Sequence, residues 1–211
     1  MNFDEKIKEM YEVNTRNVLD ELKTKQMQEK IHNFAKMHGL HPKYVEQLIL
    51  DDYLYRINFA KDPKKQTAHE KIVAEHIKSV LGETGVFKKL PSGGKSAKYV
   101  TSNGVRHENL NGTKSIDFEI HTKGLVIYAT CKYTKGNGGA QDNQYNDVKK
   151  YIKVCAEMVS SRKHKANERF IAIVDGSYYT KEKLSELTSL ALGTVDIISA
   201  SDFKSYLDSL S

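Results

Sequence analysis

An α/β domain with a mixed β-sheet flanked by helices, preceded by an all-helical N-terminal region, is the fold that the sequence predicts. Residues 1–60 show helical periodicity and no strand-like alternation. From residue 66 onward the apolar pattern gives helix, strand, strand, helix, strand, helix, strand, helix. Apolar strands that alternate with helices are typical of an α/β sandwich with a mixed sheet. The charged stretch 61–66, which contains Pro63, is therefore predicted to link a helical region (1–60) to an α/β domain (66–211).

Periodicity and turn residues define the individual elements of the α/β domain. An amphipathic helix is predicted over 66–81, followed by turns rich in Gly, Ser, Asn and Lys over 82–114. Two strands, 115–120 and 125–133, are separated by HTKG and predict a short hairpin. The remaining elements are a helix over 141–159, a strand over 169–176, a helix over 180–192, a strand over 194–199 and a helix that begins at Ser201, whose side chain can cap it.

Composition and charge restrict the class of protein. The chain of 211 residues carries a net charge of +6, and this excess of basic residues favours polyanionic partners such as nucleic acid. No apolar run approaches the roughly 18 residues that span a bilayer, and the charged N-terminus does not have the apolar stretch of a signal peptide. Cys131 and Cys155 show no metal-ligand spacing. We therefore expect an intracellular, cytoplasmic protein with no membrane partner.

The predicted hairpin can gather charged side chains on one surface. Because side chains alternate along a strand, Asp117 and Glu119 share one face of the first strand, and Thr130 and Lys132 share one face of the second. Pairing the strands can place all four on the same surface, backed by an apolar face. Two carboxylates and a lysine can bind a hard cation and direct a water at a phosphodiester. The alternative is an exposed hairpin that carries a surface salt bridge.

The order of these motifs resembles the PD-(D/E)XK nuclease superfamily of restriction and repair enzymes. That pattern has a helix with a glutamate, a strand with an aspartate, a strand ending in (D/E)-x-K and a helix that often carries a glutamine. This chain has TAHEKIVAEHI, then KSIDFEI, then VIYATCKYTKGNGGAQDNQYNDVKKYI. The resemblance covers residues 66 to about 185 and implies a PD-(D/E)XK restriction-endonuclease-like core.

The resemblance also implies a function. It suggests an endonuclease that uses Mg²⁺, with Mn²⁺ as a substitute, to cleave double-stranded DNA. Such an enzyme would be a type II restriction endonuclease or one subunit of it, working as a homodimer or as a heterodimer with a second nuclease subunit. A Holliday-junction resolvase, a DNA-binding protein without activity, and a helix-turn-helix regulator with an α/β ligand domain are the alternatives.

One position departs from the superfamily pattern. Thr130 stands where the pattern has Asp or Glu, and a hydroxyl is a poor metal ligand beside a carboxylate. With Asp117 as a metal ligand and Lys132 activating the water, another carboxylate can complete the site: Glu119, or Asp142 or Asp147 of the next helix. Glu119 is the first choice because two residues along a strand return to the same face. Alternatively, the protein binds DNA without cutting it, or an engineered change has silenced it.

Further residues take candidate roles from the resemblance. Glu70 would bind a second metal ion or a metal-bound water, although a capping box with Thr67 would also use it. Gln141 and Tyr145, one turn apart on a helix, would contact the DNA backbone or orient the lysine; otherwise they form the polar rim of a packed helix. Lys95 and Lys98, in the Gly-rich basic segment before the aspartate, would also bind DNA.

The segment FAKMHGLHPKYVEQLI (34–49) fits a helix-turn-helix template. Ala35, Gly39, Val45 and Leu48 occupy the positions that let two helices pack across a tight turn. The second helix would begin at Pro42, which favours a helix start. The residues it would present to a major groove are Lys43, Tyr44, Glu46 and Gln47. The alternative is a plain helical hairpin that packs on the catalytic domain or forms a dimer interface.

Overall fold

The computed structural model describes residues 3–62, 68–136 and 139–210. The chain forms two compact units, one that extends to Ile72 and one that begins at Val73. Most of the predicted linker at 61–66 lies outside the described residues, so the domain boundary proposed there stays a prediction. Within the described ranges, no helix is long and apolar enough to cross a membrane.

The first unit is built from helices. They are α1 (Phe3–Glu21), α2 (Lys25–His38), α3 (Pro42–Asp51), α4 (Tyr53–Phe59) and the start of α5 (Ala68–Leu81). Their apolar stripes meet in one core that includes Val18, Ile31, Val45, Ile49 and Phe59. Between residues 3 and 60 the described chain thus consists of helices joined by short turns, as predicted for the N-terminal region 1–60.

The second unit contains a five-stranded sheet and a separate two-stranded hairpin. Its elements are β1 (Gly85–Lys89), β2 (Tyr99–Thr101), β3 (Gly104–Arg106), β4 (Phe118–Thr122), β5 (Leu125–Tyr133), α6 (Gly139–Ser160), β6 (Glu168–Asp175), α7 (Lys181–Ala191), β7 (Asp196–Ile198), a 3₁₀ turn (Ala200–Asp202) and α8 (Phe203–Ser209). The large sheet has the order β1-β4-β5-β6-β7. Its first three strands are antiparallel, and β5, β6 and β7 run parallel. The predicted mixed sheet flanked by helices is thus confirmed.

Both faces of the central strand β5 are buried. Ile127, Ala129 and Cys131 lie on one face, and Tyr128 on the other belongs to the same core cluster as Val148 of α6. The α6 helix covers this second face because its apolar stripe packs there, as parallel strands with helical crossovers require. The alternative of a solvent-exposed polar hairpin face therefore does not fit.

The start of β4 differs from the prediction of a strand over 115–120. Ser115 bridges to Tyr99, and the Ile116 amide donates to the Lys98 carbonyl, so these two residues pair with the small hairpin. Ile116 consequently joins the core cluster of Tyr128, rather than the opposite face with Phe118. The regular alternation assumed for this segment is therefore wrong at Ile116. The strands β1, β2 and β3 lie in the stretch 82–114, which was predicted only as turns.

The last helical segment is capped at a different serine from the one predicted. The Ser199 hydroxyl accepts a hydrogen bond from the Asp202 amide at 3.2 Å, which makes Ser199 the cap of the 3₁₀ turn. Ser201 lies inside that turn, and its hydroxyl is 2.7 Å from that of Ser199. A cap precedes the first turn because it must reach amide groups that have no partner within the helix. The prediction of Ser201 as the cap is thus corrected.

Candidate active site

Asp117 and Lys132 form an ion pair at one end of the β4–β5 hairpin. Asp117 immediately precedes β4, and Lys132 is the penultimate residue of β5. The Lys132 Nζ atom lies 3.2 Å from Asp117 Oδ2, and the two side chains are 19% and 13% exposed, respectively. Their alternation along paired strands brings them together, as the sequence predicts.

The Asp117 carboxylate is also held by the strand beside it. Its Oδ2 atom accepts a hydrogen bond from the Cys131 amide at 2.7 Å and one from the Thr130 hydroxyl at 3.2 Å. Donors that converge on one oxygen stabilise the anionic form and fix its direction. Thr130 is buried and directs its hydroxyl to Asp117, so its described role is to position that carboxylate.

Glu119 lies on the same face as Asp117 but forms ion pairs with a different set of basic side chains. Its carboxylate accepts hydrogen bonds from Lys88 at 3.1 Å, from His121 at 2.7 Å and from Lys98, and its side chain is only 4% exposed. Burial alone would raise the pKa of Glu119, but the hydrogen bonds from Lys98, His121 and Lys88 outweigh it and lower the pKa to about 2. The described hydrogen-bond partners of Glu119 thus do not include Lys132.

This cluster predicts an acid-dependent contribution to stability. Because the pKa of Glu119 is lowered in the folded protein from 4.5 to about 2, its contribution is fully present above pH 4.5 and is lost as the pH falls towards 2. We expect Glu119→Gln to lower the free energy of unfolding by about 2–3 kcal/mol at pH 7, since it removes the buried negative charge to which Lys98, His121 and Lys88 donate. Urea denaturation at pH 7 and at pH 3 measures the change.

The control for this prediction is Asp147→Asn. Asp147 is half-buried and lies 3.9 Å from Lys114, whose side chain is largely exposed, so the loss should be below about 1 kcal/mol. The destabilisation by Glu119→Gln should shrink at pH 3. An equal difference between wild type and Glu119→Gln at both pH values would contradict the prediction.

The two helix carboxylates that were considered as substitute metal ligands have other partners. On α6, Asp147 is nearest to Lys114, and Asp142 accepts a hydrogen bond from the Tyr178 hydroxyl. Across the described residues, no three or more His, Cys, Asp or Glu side chains form a group that could hold a metal ion. A cation bound to Asp117 would therefore need further ligands besides the carboxylates that lie near it in this arrangement.

Of the residues predicted to contact DNA in the second unit, two have side chains that bind other residues of the protein. Tyr145 is 6% exposed, and its hydroxyl donates to Glu186 Oε2 at 2.7 Å, so its described contacts lie within the protein and its contact with the DNA backbone stays a prediction. Lys98 is bound to Glu119. Gln141 is half-buried on the first turns of α6, and Lys95 is exposed.

A small polar network beyond Lys132 was not predicted. The Thr134 hydroxyl donates to Gln144 Oε1 at 2.9 Å and lies 3.5 Å from the Tyr179 hydroxyl. Burial raises the pKa of Tyr179, while Thr134 and the positive charge of Lys132 act in the opposite direction. The turn after β6 packs against the end of β5, where the Tyr178 amide donates to the Thr134 carbonyl at 3.1 Å. This contact could not be predicted, because Thr134 and Tyr179 are 45 residues apart and no local sequence pattern indicates that their segments pack together.

The first unit contains the predicted helix-turn-helix segment. Gly39 ends α2 in the left-handed conformation with φ of 63°, and α3 begins at Pro42 as predicted. Ala35 and Val45 are buried, and Leu48 is half-buried. Tyr44 is 55% exposed, and Lys43 and Gln47 are exposed, although the Gln47 amide donates to Asp51.

Glu70 also belongs to the first unit. It lies half-buried in the first turn of α5. Thr67, its proposed partner in a capping box, lies outside the described residues. Both predicted roles of Glu70 therefore stay predictions.

The fold and the site together define an α/β protein with a mixed sheet and a carboxylate–lysine pair where two antiparallel strands meet. No protein-family model matches the sequence, and no curated protein matches it. Among solved structures, the chain is similar to protein VC1899 from Vibrio cholerae, with 12% identity and a TM-score of 0.36, over 99% of this chain and 55% of that one. It is also similar to SfsA from Pyrococcus furiosus, solved in complex with Ca²⁺, with 18% identity and a TM-score of 0.31, over 65% of this chain and 57% of that one. The chain spans little more than half the length of each, and at these TM-scores neither likeness decides the function.

Proposed function

We propose that the protein is a metal-dependent endonuclease that cleaves phosphodiester bonds of double-stranded DNA, and that Asp117 and Lys132 form its active site. The observation that carries this proposal is the 3.2 Å contact between Lys132 Nζ and Asp117 Oδ2 on paired strands. The order of helix, aspartate, lysine strand and helix around that contact resembles the PD-(D/E)XK pattern. A fixed carboxylate beside an ammonium suits phosphodiester hydrolysis, in which negative charge builds on the phosphate.

The residues of the site fit a Mg²⁺ ion that is bound jointly by protein and DNA. Mg²⁺ commonly takes one or two carboxylates and completes its shell with water and substrate phosphates. Asp117 would supply the carboxylate, and the bound ion would supply Lewis-acid chemistry to the phosphate and the attacking water. Lys132 would stabilise the charge that develops on the phosphate, and Thr130 would keep Asp117 in place.

Glu119 can add a second ligand only by leaving its present partners. Its carboxylate would have to separate from Lys88, Lys98 and His121, which hold it as an anion in a buried position. Separating one buried charge from its partners costs several kcal/mol unless a new cation replaces them. A Mg²⁺ ion beside Asp117 is such a cation, so Glu119 stays the first candidate for a substitute ligand.

The proposed biological role is that of a type II restriction endonuclease or one subunit of it. One chain carries one Asp117–Lys132 site, and cutting both DNA strands takes two sites, so a second nuclease subunit, identical or different, is part of the proposal. In the first unit, α3 would read the DNA with Lys43, Tyr44 and Gln47, which are exposed on that helix.

A plasmid cleavage assay on the full chain tests the proposal. With Mg²⁺ or Mn²⁺, supercoiled DNA should convert to the nicked or linear form, and an excess of EDTA should abolish the conversion. A chain alone that only nicks, and that linearises DNA after a partner nuclease subunit is added, would indicate a heterodimer. No conversion under any of these conditions, with the protein folded and bound to DNA, would overturn the catalytic proposal.

The second candidate is a DNA-binding protein that has this fold but does not cut. The observation in its favour is Thr130, a buried hydroxyl at the position where the pattern has an acid, together with the absence of a three-ligand group among the described residues. Such a protein would bind DNA without cleaving it. The variant Thr130→Asp would then gain Mg²⁺-dependent nicking, whereas an active wild type that depends on Glu119 would lose nicking in Glu119→Ala.

A further inference from the structure

A basic cleft opens in the second unit next to the Glu119 cluster. Its volume is about 350 Å³, and it lies between the β2–β3 hairpin, the middle of β5 and the loop that joins α6 to β6. The residues of its lining that matter here are Lys98, Arg106, Tyr128, Lys163, Lys165 and Glu168. Clefts of this size hold a small polar ligand or a short stretch of a polymer.

The cleft carries an excess of positive charge. The charged groups of Arg106, Lys163 and Lys165 form no ion pair within the described ranges of the chain, and all three residues are exposed. The buried acid Glu168 accepts a hydrogen bond from the Lys165 backbone amide at 3.0 Å, which fixes the loop. Lys98 is neutralised by Glu119. Three cations thus converge on one opening with one nearby anion, an arrangement that repels cations and attracts anions.

The backbone around the cleft is held in place. In the hairpin, Tyr99 pairs with Arg106, and the Thr101 hydroxyl donates to the Gly104 carbonyl at 2.7 Å. Gly104 has φ of 104°, and a side chain there would come within 3.1 Å of the Lys163 carbonyl, so the glycine lets the hairpin lie directly on the α6–β6 loop. Arg106 and Lys163 therefore extend from two fixed segments rather than from free loops.

We propose that this cleft binds backbone phosphates of the DNA strand that occupies the Asp117–Lys132 site. Tyr128, in the cleft lining, lies four residues before Lys132 along β5, and Glu168 of the lining pairs with Val126, six residues before Lys132. Because residues of a strand are spaced roughly 3.3 Å apart, the cleft lies on the order of 13–20 Å from Lys132 along β5. A phosphodiester chain has a negative charge at every nucleotide and can satisfy both places at once. The choice of DNA as the ligand rests on the proposed function.

Charge-neutralising variants test the cleft. The double variant Lys163→Gln, Lys165→Gln should weaken the binding of a DNA duplex of 20–30 base pairs, measured by fluorescence anisotropy in EDTA so that no cleavage occurs. If both lysines contact phosphates, the slope of log affinity against log salt should become shallower by about 0.9 per contact, and the affinity at 0.1 M salt should fall by roughly tenfold or more. Adding Arg106→Gln to this double variant should make the salt slope shallower by about 0.9 more and weaken DNA binding again.

The matched control is the double variant Lys181→Gln, Lys204→Gln, which removes the same charge from exposed positions at the start of α7 and on α8. Its salt slope should equal that of wild type. Equal affinities of the cleft variant and wild type, an equal loss in the control, or a loss for RNA but not for DNA would each overturn the assignment. Because the readout is binding, it decides the role of the cleft even if the protein proves unable to cut DNA.

Discussion

We expect Asp117→Asn to lower the rate of DNA cleavage by roughly a hundredfold to a thousandfold, the range seen when one preorganised charge is removed from an active site. The amide keeps the shape of the side chain but loses the negative charge that would bind the metal ion. It also places a donor or a weaker acceptor among the Cys131 amide, the Thr130 hydroxyl and Lys132, which all donate to Asp117 Oδ2. Single-turnover cleavage of a supercoiled plasmid measures the effect.

Two measurements separate a catalytic loss from a folding defect. Asp208→Asn makes the same chemical change at an exposed position of α8 and should cleave at the wild-type rate. Urea denaturation should show that Asp117→Asn is still folded at the temperature of the assay, and anisotropy should show that it still binds DNA. Cleavage by folded Asp117→Asn within threefold of wild type would rule out Asp117 as the centre of the site.

The second large effect is expected from Gly176→Ala. Gly176 follows β6 with φ of 102°, and a Cβ atom at this position would lie 2.2 Å from the Thr134 carbonyl oxygen and 2.8 Å from its carbonyl carbon. Both atoms belong to the backbone, so neither can move without disturbing the end of β5, where Lys132 lies. We expect a loss of about 3–5 kcal/mol in the free energy of unfolding, measured with urea.

Gly193→Ala provides the comparison for that loss. Gly193 also has a positive φ, of 72°, but a Cβ atom there would meet nothing within 4 Å. It should therefore cost only the roughly 1–2 kcal/mol of a left-handed non-glycine residue. If the two alanine variants were equally stable, the close approach of Gly176 to Thr134 would have no energetic consequence.

The elements with strong local signals could be predicted from the sequence. Residues 125–133 form a strand over that same range because eight of the nine residues, all except Lys132, are apolar, β-branched or aromatic and suit a strand that is buried on both faces. The helix predicted over 141–159 is α6, which begins two residues earlier and ends one later. The strands β1, β2 and β3 could not be found. The sequence of β1 contains Gly and Lys, which are depleted in strands, and β1 pairs with a distant partner, while β2 and β3 have only three residues each, too few to show an alternating pattern.

The candidate site follows the same division between local and distant contacts. Asp117 and Lys132 could be paired from alternation and a hairpin register alone. The partners of Glu119 could not, because Lys88 comes from β1 and Lys98 from the segment before β2, and neither element was predicted. For Tyr145 the sequence left a DNA contact and a polar rim open, and its burial against Tyr178, Tyr179 and α7 could not be seen because those partners are distant along the chain.

The two edges of the large sheet restrict how a second subunit can attach. The edge strand β7 has three residues, with Asp196 at its start, and the edge strand β1 ends in Lys88 and Lys89. Short edge strands with charged side chains discourage the backbone pairing through which sheets of two molecules join. A partner that completes a double-strand cut would therefore dock through side chains, and continuation of the sheet from one subunit into the next is disfavoured.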